Sequence, residues 1–210
     1  MKGAIFDMDG TLADSMYYWG KNFIKKMDEE NLQYPDDVLN IITPMGVRVT
    51  CEYMHNELGH PKTPDVIYRE IEDTMLTEYA TNIPTKPFAV EYLKKLKEQG
   101  VKMCVFSAST QRMIEAFAKK SGFFDLMEFV LSCEEIGISK SNPESFKIAA
   151  EKMGLSIEDV TIFDDNEIAV KSAAKSGAKV VAVYDKTADE YKEELKKVAD
   201  KYIYSFEELL

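Results

Sequence analysis

The sequence predicts an α/β fold: a doubly wound, mainly parallel sheet core with an inserted all-helical cap domain. Three observations lead there. Short apolar runs alternate with helical patterns, as in a parallel sheet covered on both faces. Several of those runs stop abruptly at acidic or hydroxyl residues. One long stretch, Ser15 to Ile83, carries helical periodicity and no convincing strand.

The first predicted strand is Gly3-Ala4-Ile5-Phe6, bounded by the turn-forming Asp7-Met8-Asp9-Gly10-Thr11. Helices are then expected at Ser15–Glu30, Pro35–Ile42, Val47–Leu58 and Pro64–Tyr79. Four helices exceed what one crossover needs, and Pro84 and Pro87 punctuate the return. The expected domains are therefore a core of residues 1–14 with 84–210 and a helical cap of residues 15–83, hinged near Ala13-Asp14 and Pro84 to Pro87. Further strands are predicted at Val101–Phe106, Phe129–Leu131, Val160–Phe163 and Lys179–Val183. Helices are expected at Pro87–Gln99, Thr110–Ser121, Pro143–Met153 and Glu167–Ser176. Gly100, Gly122, Gly154 and Gly177 each follow one of them, where a helix C-cap belongs. Asp185–Asp200 reads as one more charged helix, and Tyr202-Ile203 as a last short strand.

The chain has 210 residues, with 26 Lys and Arg against 37 Asp and Glu, a formal net charge of -11. That balance argues against a nucleic-acid backbone or an anionic membrane as the partner. It leaves room for a small anionic substrate, because one metal ion and one lysine reverse the local sign. Cys51, Cys104 and Cys133 are far apart, so neither a disulfide framework nor a cysteine-rich zinc site is expected. A reducing, cytoplasmic setting fits, no signal peptide is read at the N-terminus, and a monomer is the default expectation.

The strand ends carry the chemistry. In an open parallel sheet the carboxyl ends face one crevice. Asp7 and Asp9 follow the first strand, Ser107-Ala108-Ser109-Thr110 the second, and Asp164-Asp165-Asn166 the fourth. Lys140 lies in the loop after the third. Converging carboxylates repel unless a cation shares them, so Asp7, Asp9, Asp164 and Asp165 point to a hard divalent metal, most plausibly Mg²⁺. Lys140, the Ser107 hydroxyl and backbone N–H groups near Met8, Asp9 and Ala108 suit a phosphoryl group. Asp7 could attack phosphorus as a nucleophile. Asp9, two residues on, could protonate the leaving oxygen and then deprotonate a water.

These residues resemble the haloacid dehalogenase superfamily, in particular its subfamily I with a helical cap and its β-phosphoglucomutase and phosphoglycolate phosphatase-like branch. Asp7-Met8-Asp9-Gly10-Thr11-Leu12 is similar to the first motif, DxDGTL. Ser107 after an apolar strand resembles the second, Lys140 to Phe146 the third, and Ile162 to Asn166, with the Ala-rich stretch to Gly177, the fourth. The resemblance runs from Ile5 to about Ala182. It implies a Mg²⁺-dependent phosphatase or phosphotransferase. Asp7 would be nucleophile and metal ligand, and Asp9 the acid/base with its carbonyl on the metal. Asp165 would be a ligand, and Asp164 a ligand or its neighbour. Gly10, Thr11, Ser107, Ala108 and Lys140 would form the substrate-binding set, Thr11 also fixing the first motif's geometry. The implied partner is a small phosphorylated metabolite.

Three departures stand out. Ser141 replaces the usual Pro of the third motif, Asn166 replaces the common Ser, and Trp19 falls where the mutase branch carries a His. A phosphoglucomutase-like isomerase is the alternative, a phosphoacceptor signalling domain or a non-catalytic binding member less so. Tyr17, Tyr18 and Trp19 could face substrate or bind the helices together. Arg48 could contact substrate or be an exposed helix-start residue. His55 and His60 read as surface or turn residues.

Overall fold

The computed structural model describes residues 1–210, apart from the side chain of Pro44. The chain divides into two compact units, Met1–Ser15 with Ile83–Leu210, and Met16–Asn82.

The second unit is helical: α1 (Met16–Glu29), α2 (Val38–Ile42), α3 (Val47–Asn56) and α4 (Pro64–Thr81). Its longest helix buries Ile67, Ile71, Met75 and Tyr79, one stripe at four-residue spacing. Facing that stripe, Trp19 donates its indole N–H to the Tyr79 hydroxyl (3.0 Å), and Asn22 reaches the Met75 sulfur. Helix α2 is shorter than the sequence suggests. Pro35 to Asp37 close a turn first, with the Val38 N–H on the Pro35 carbonyl (3.0 Å). His60 is no surface residue: it is buried in its turn, its Nδ1 accepting from the Lys62 N–H.

The first unit is a six-stranded sheet, all parallel: β1 (Gly3–Phe6), β2 (Lys102–Ser107), β3 (Phe129–Ser132), β4 (Val160–Asp164), β5 (Lys179–Val183) and β6 (Lys201–Ile203). The strand order is β3-β2-β1-β4-β5-β6. Helices α5 (Ala89–Glu98), α6 (Gln111–Lys120), α7 (Cys133–Ile136), α8 (Glu144–Lys152), α9 (Glu167–Ser176) and α10 (Lys192–Val198) connect the strands. The expected helix from Asp185 begins as a 3-10 segment, Lys186–Tyr191, because Asp185 Oδ1 accepts from both the Thr187 N–H and hydroxyl and tightens the turn.

Strand alternation separates the two faces. On one, Phe6 stacks on Phe163 (ring centroids 4.5 Å), with Tyr92 and Phe206 against them. On the other, Ile5, Cys104, Phe106, Ile162 and Val180 pack with Phe146 and Ala149 of α8 and Ala173 of α9. Register puts Ile5 beside both Cys104 and Ile162. Both faces are covered, which is why the strands read as near-continuous apolar runs.

The chain leaves and re-enters this unit side by side. Ala13 and Thr85 form an antiparallel bridge, the Asp14 N–H donates to the Pro84 carbonyl (3.0 Å), and the Lys86 N–H to the Leu12 carbonyl (2.8 Å).

At the start of α9, Asn166 Oδ1 accepts from the N–H groups of Ile168 and Ala169. Asparagine therefore does here what serine does at many helix starts. Asn166→Ala is expected to cost ~1 kcal/mol in denaturant unfolding and Asn166→Ser less than half of that. Equal losses for the two would place the contribution elsewhere.

Candidate active site

Order in the sheet reverses between β1 and β4, the place where an open α/β sheet offers a crevice. Asp7 lies one residue past β1, and Asp164 ends β4. The pairing of Phe6 with Phe163 carries on through the Asp7 N–H, which donates to the Phe163 carbonyl (2.9 Å). The two-residue alternation then puts Asp7 and Asp164 on the face of Ile5 and Ile162, where α8 packs. Lys140, in the loop leading to α8, arrives on that same face. Its Nζ lies 2.5 Å from Asp7 Oδ1 and 2.7 Å from Asp164 Oδ2.

Asp165 completes the group. Carboxylate oxygens of Asp7, Asp164 and Asp165 lie within 4.8 Å of one another, and all three residues are buried. Thr11 donates its hydroxyl to Asp165 Oδ1 (2.7 Å), and the Asn166 N–H donates to Asp164 Oδ1 (2.9 Å). Gly10 has a positive φ of 79°, and a Cβ there would collide with the Asp165 carboxylate. Its N–H is taken by the Ala13 carbonyl. The contacts of Gly10 and Thr11 are thus with Asp165 and the loop.

Asp9 stands apart from the three. Ser15 donates to its Oδ1 (2.6 Å) and Ser109 to its Oδ2 (2.7 Å). Ser107 is buried, and its Oγ accepts from the Ser109 N–H (3.1 Å), while Ala108 is exposed. Ser109 is held in turn by the Ser132 hydroxyl on its carbonyl (2.8 Å). Sequence reasoning placed Asp7, Asp9, Ser107, Ser109, Asp164 and Asp165 after the strands and Lys140 in the loop after the third, but missed the bonds of Ser15 and Ser109 to Asp9. For Ser109 the available signal was its place just past β2. In the helical unit, Arg48 lies over the Tyr68 ring (4.2 Å) and near Asp65. Tyr17 is exposed and packs edge-on to Tyr18.

Three carboxylates and one ammonium leave a surplus of negative charge in a buried place. Burial pushes the Asp7 carboxyl up to about 7; Lys140 pulls it down, and Asp164 and Asp9 add to the rise. Asp165 is also pushed well up, by burial first and then by Asp7, Asp164 and Asp185, against the Thr11 bond. Burial disfavours the Lys140 charge, but Asp164 and Asp7 outweigh it and hold that ammonium above its ordinary range. Oxygen donors with excess negative charge fit a hard divalent cation such as Mg²⁺. Among the described residues, Asp7, Asp164 and Asp165 would hold it.

Two outcomes follow from this balance. A carboxyl raised in the folded state binds a proton there that the unfolded chain has lost. In the metal-free protein, stability is therefore expected to fall as pH rises from about 5 through 7, and Asp7→Asn should flatten that fall. Thermal unfolding with chelator at several pH values measures it; a metal-free protein that gains stability over that range contradicts the assignment. Gly10→Ala should displace Asp165 and weaken Mg²⁺ binding by at least ~10-fold in calorimetry. Unchanged affinity would mean that Asp165 is not a ligand.

The family model for haloacid dehalogenase-like hydrolases matches residues 4–183. The Bacillus subtilis protein YhcW is 26% identical over 192 residues, covering 89% of this chain and 84% of its own. Hexitol phosphatase A of Escherichia coli is 24% identical over 183 residues, covering 87% and 82%. Among solved structures, CbbY from Rhodobacter sphaeroides in complex with phosphate superposes with a TM-score of 0.85 at 16% identity, covering 100% of this chain and 96% of that one. The chain belongs to the haloacid dehalogenase-like hydrolase family.

Proposed function

We propose that the protein is a Mg²⁺-dependent phosphatase that hydrolyses a small phosphomonoester, such as a sugar or polyol phosphate, through an aspartyl-phosphate on Asp7. The observation that carries this is the buried group of Asp7, Asp164 and Asp165 bridged by Lys140, with Asp9 held separately beside it. Relatives named as phosphatases, among them hexitol phosphatase A, support the substrate class.

When bound, Mg²⁺ would neutralise the site and draw electron density from the phosphoryl oxygens. The chain's own residues do the rest. Asp7 is aligned by Lys140, whose ammonium would also face a phosphoryl oxygen. An Asp7 oxygen attacks phosphorus, the ester P–O bond breaks, and the leaving oxygen takes a proton from Asp9. Asp9, now a carboxylate, takes a proton from water as that water's oxygen attacks the phosphorus. Inorganic phosphate leaves and Asp7 is regenerated. Ser15 and Ser109 keep the Asp9 carboxyl aimed during both transfers. Ser107 and the N–H of Ala108 would receive the phosphoryl oxygens. Residues 15–83, the unit Met16–Asn82 with its linkers, act as a cap that selects the substrate.

The isomerase alternative is disfavoured at Trp19. Indole is no proton carrier at neutral pH, and its N–H is engaged by Tyr79. Phosphate release with Mg²⁺ over a panel of phosphorylated sugars, polyols and small acids tests the reading. Wild type is expected to release phosphate from a narrow set, and Asp7→Asn to lose at least ~10³-fold while remaining folded by circular dichroism. Near-native turnover by Asp7→Asn would remove the nucleophile. Isomerised sugar phosphates without free phosphate would favour the mutase.

A further inference from the structure

A second ion pair, half-buried, lies past the end of the strand next to β4, and the reaction just described does not use it. Lys86, on the segment returning from the helical unit, places Nζ 2.6 Å from Asp185 Oδ2 and 3.8 Å from Asp14 Oδ1. The Asp185 side chain is 4% exposed and that of Lys86 14%. Asp185 follows β5, the neighbour of β4, in which Asp164 pairs with Ala182. That register sets Val183 level with Asp165, so Asp185 lies two residues beyond that level on the neighbouring strand's end. Thr187 donates both its N–H and its hydroxyl to the other Asp185 oxygen. Meanwhile the Lys86 N–H donates to the Leu12 carbonyl, in the loop whose Thr11 holds Asp165. One residue thus touches both the charge near Asp165 and the loop that orients Asp165.

We propose that Lys86 and Asp185 form a positioning pair for the acidic group: Lys86 cancels the Asp185 charge felt by Asp165, and so sets how strongly the group binds its divalent cation. The proposal rests on the metal reading above and extends it to residues outside the site. Neither residue touches substrate.

Charge-setting makes a prediction of sign that a structural role does not. Asp185→Asn leaves Lys86 with only the more distant, exposed Asp14 carboxylate of the two and should weaken Mg²⁺ binding about three- to tenfold. Lys86→Met leaves the Asp185 anion unbalanced and should strengthen it by a similar factor. The double variant should return to within about twofold of wild type. Mg²⁺ titration calorimetry on the full chain reads these, with Asp165→Asn as control and thermal unfolding to confirm the fold. Two single variants that both weaken binding, or leave it unchanged, overturn the proposal. Should Lys86→Met fail to fold, the double variant against Asp185→Asn decides: recovery supports it, and no recovery overturns it. Wild type that takes no Mg²⁺, or an Asp165→Asn control that takes it equally, overturns the metal reading and this inference with it.

Discussion

Carboxylates of Asp7, Asp164 and Asp165 crowd within 4.8 Å of one another at the ends of β1 and β4, and Lys140 is the ammonium bonded between two of them. Burying charges of one sign costs several kcal/mol per uncompensated ion. Much of the surrounding structure can be understood as the means of holding that arrangement. The parallel sheet aligns Asp7 with Asp164. The apolar face of Ile5, Ile162, Phe146 and Ala149 seats α8, so that Lys140 enters on the correct side. Gly10 gives Asp165 its space, and Thr11 fixes its orientation.

The same crowding links stability to chemistry. Burial and the neighbouring carboxylates raise the Asp7 carboxyl, which favours its protonated, less nucleophilic form. A divalent cation would restore the ionised form and relieve the repulsion together, so metal binding and nucleophile activation would be one event. In the proposed reaction Asp9 would give and take a proton in each turnover, and it lies outside that group. Two hydroxyls, from Ser15 and Ser109, hold both of its oxygens without adding charge.

How much of this was legible in the sequence depends on range. Strands buried on both faces are apolar throughout, so their ends stand out where Phe6 gives way to Asp7 and Phe163 to Asp164. Helix C-caps were legible because Gly100, Gly122, Gly154 and Gly177 all take positive φ there. Start points were less so: a turn at Pro35 delays α2, and the capping bonds of Asp185 tighten the segment ahead of α10. His60 looks like any turn histidine until tertiary packing buries it. The links from Ser109 to Asp9 and from Lys86 to Asp185 span about a hundred residues each. No local pattern distinguishes those residues from an ordinary turn serine or linker lysine, because their partners are chosen by the fold.

The central claim is that Asp7, among the three crowded acids and Asp9 beside them, bonds to phosphorus. Borohydride trapping tests it most directly. Enzyme quenched during turnover with Mg²⁺ and a phosphorylated substrate is reduced, which converts an acyl phosphate to homoserine, and the peptides are mapped by mass spectrometry. The account predicts homoserine at position 7 alone, dependent on both substrate and metal. Reduction at Asp9, Asp164 or Asp165, or none at any position while phosphate is released, would contradict it.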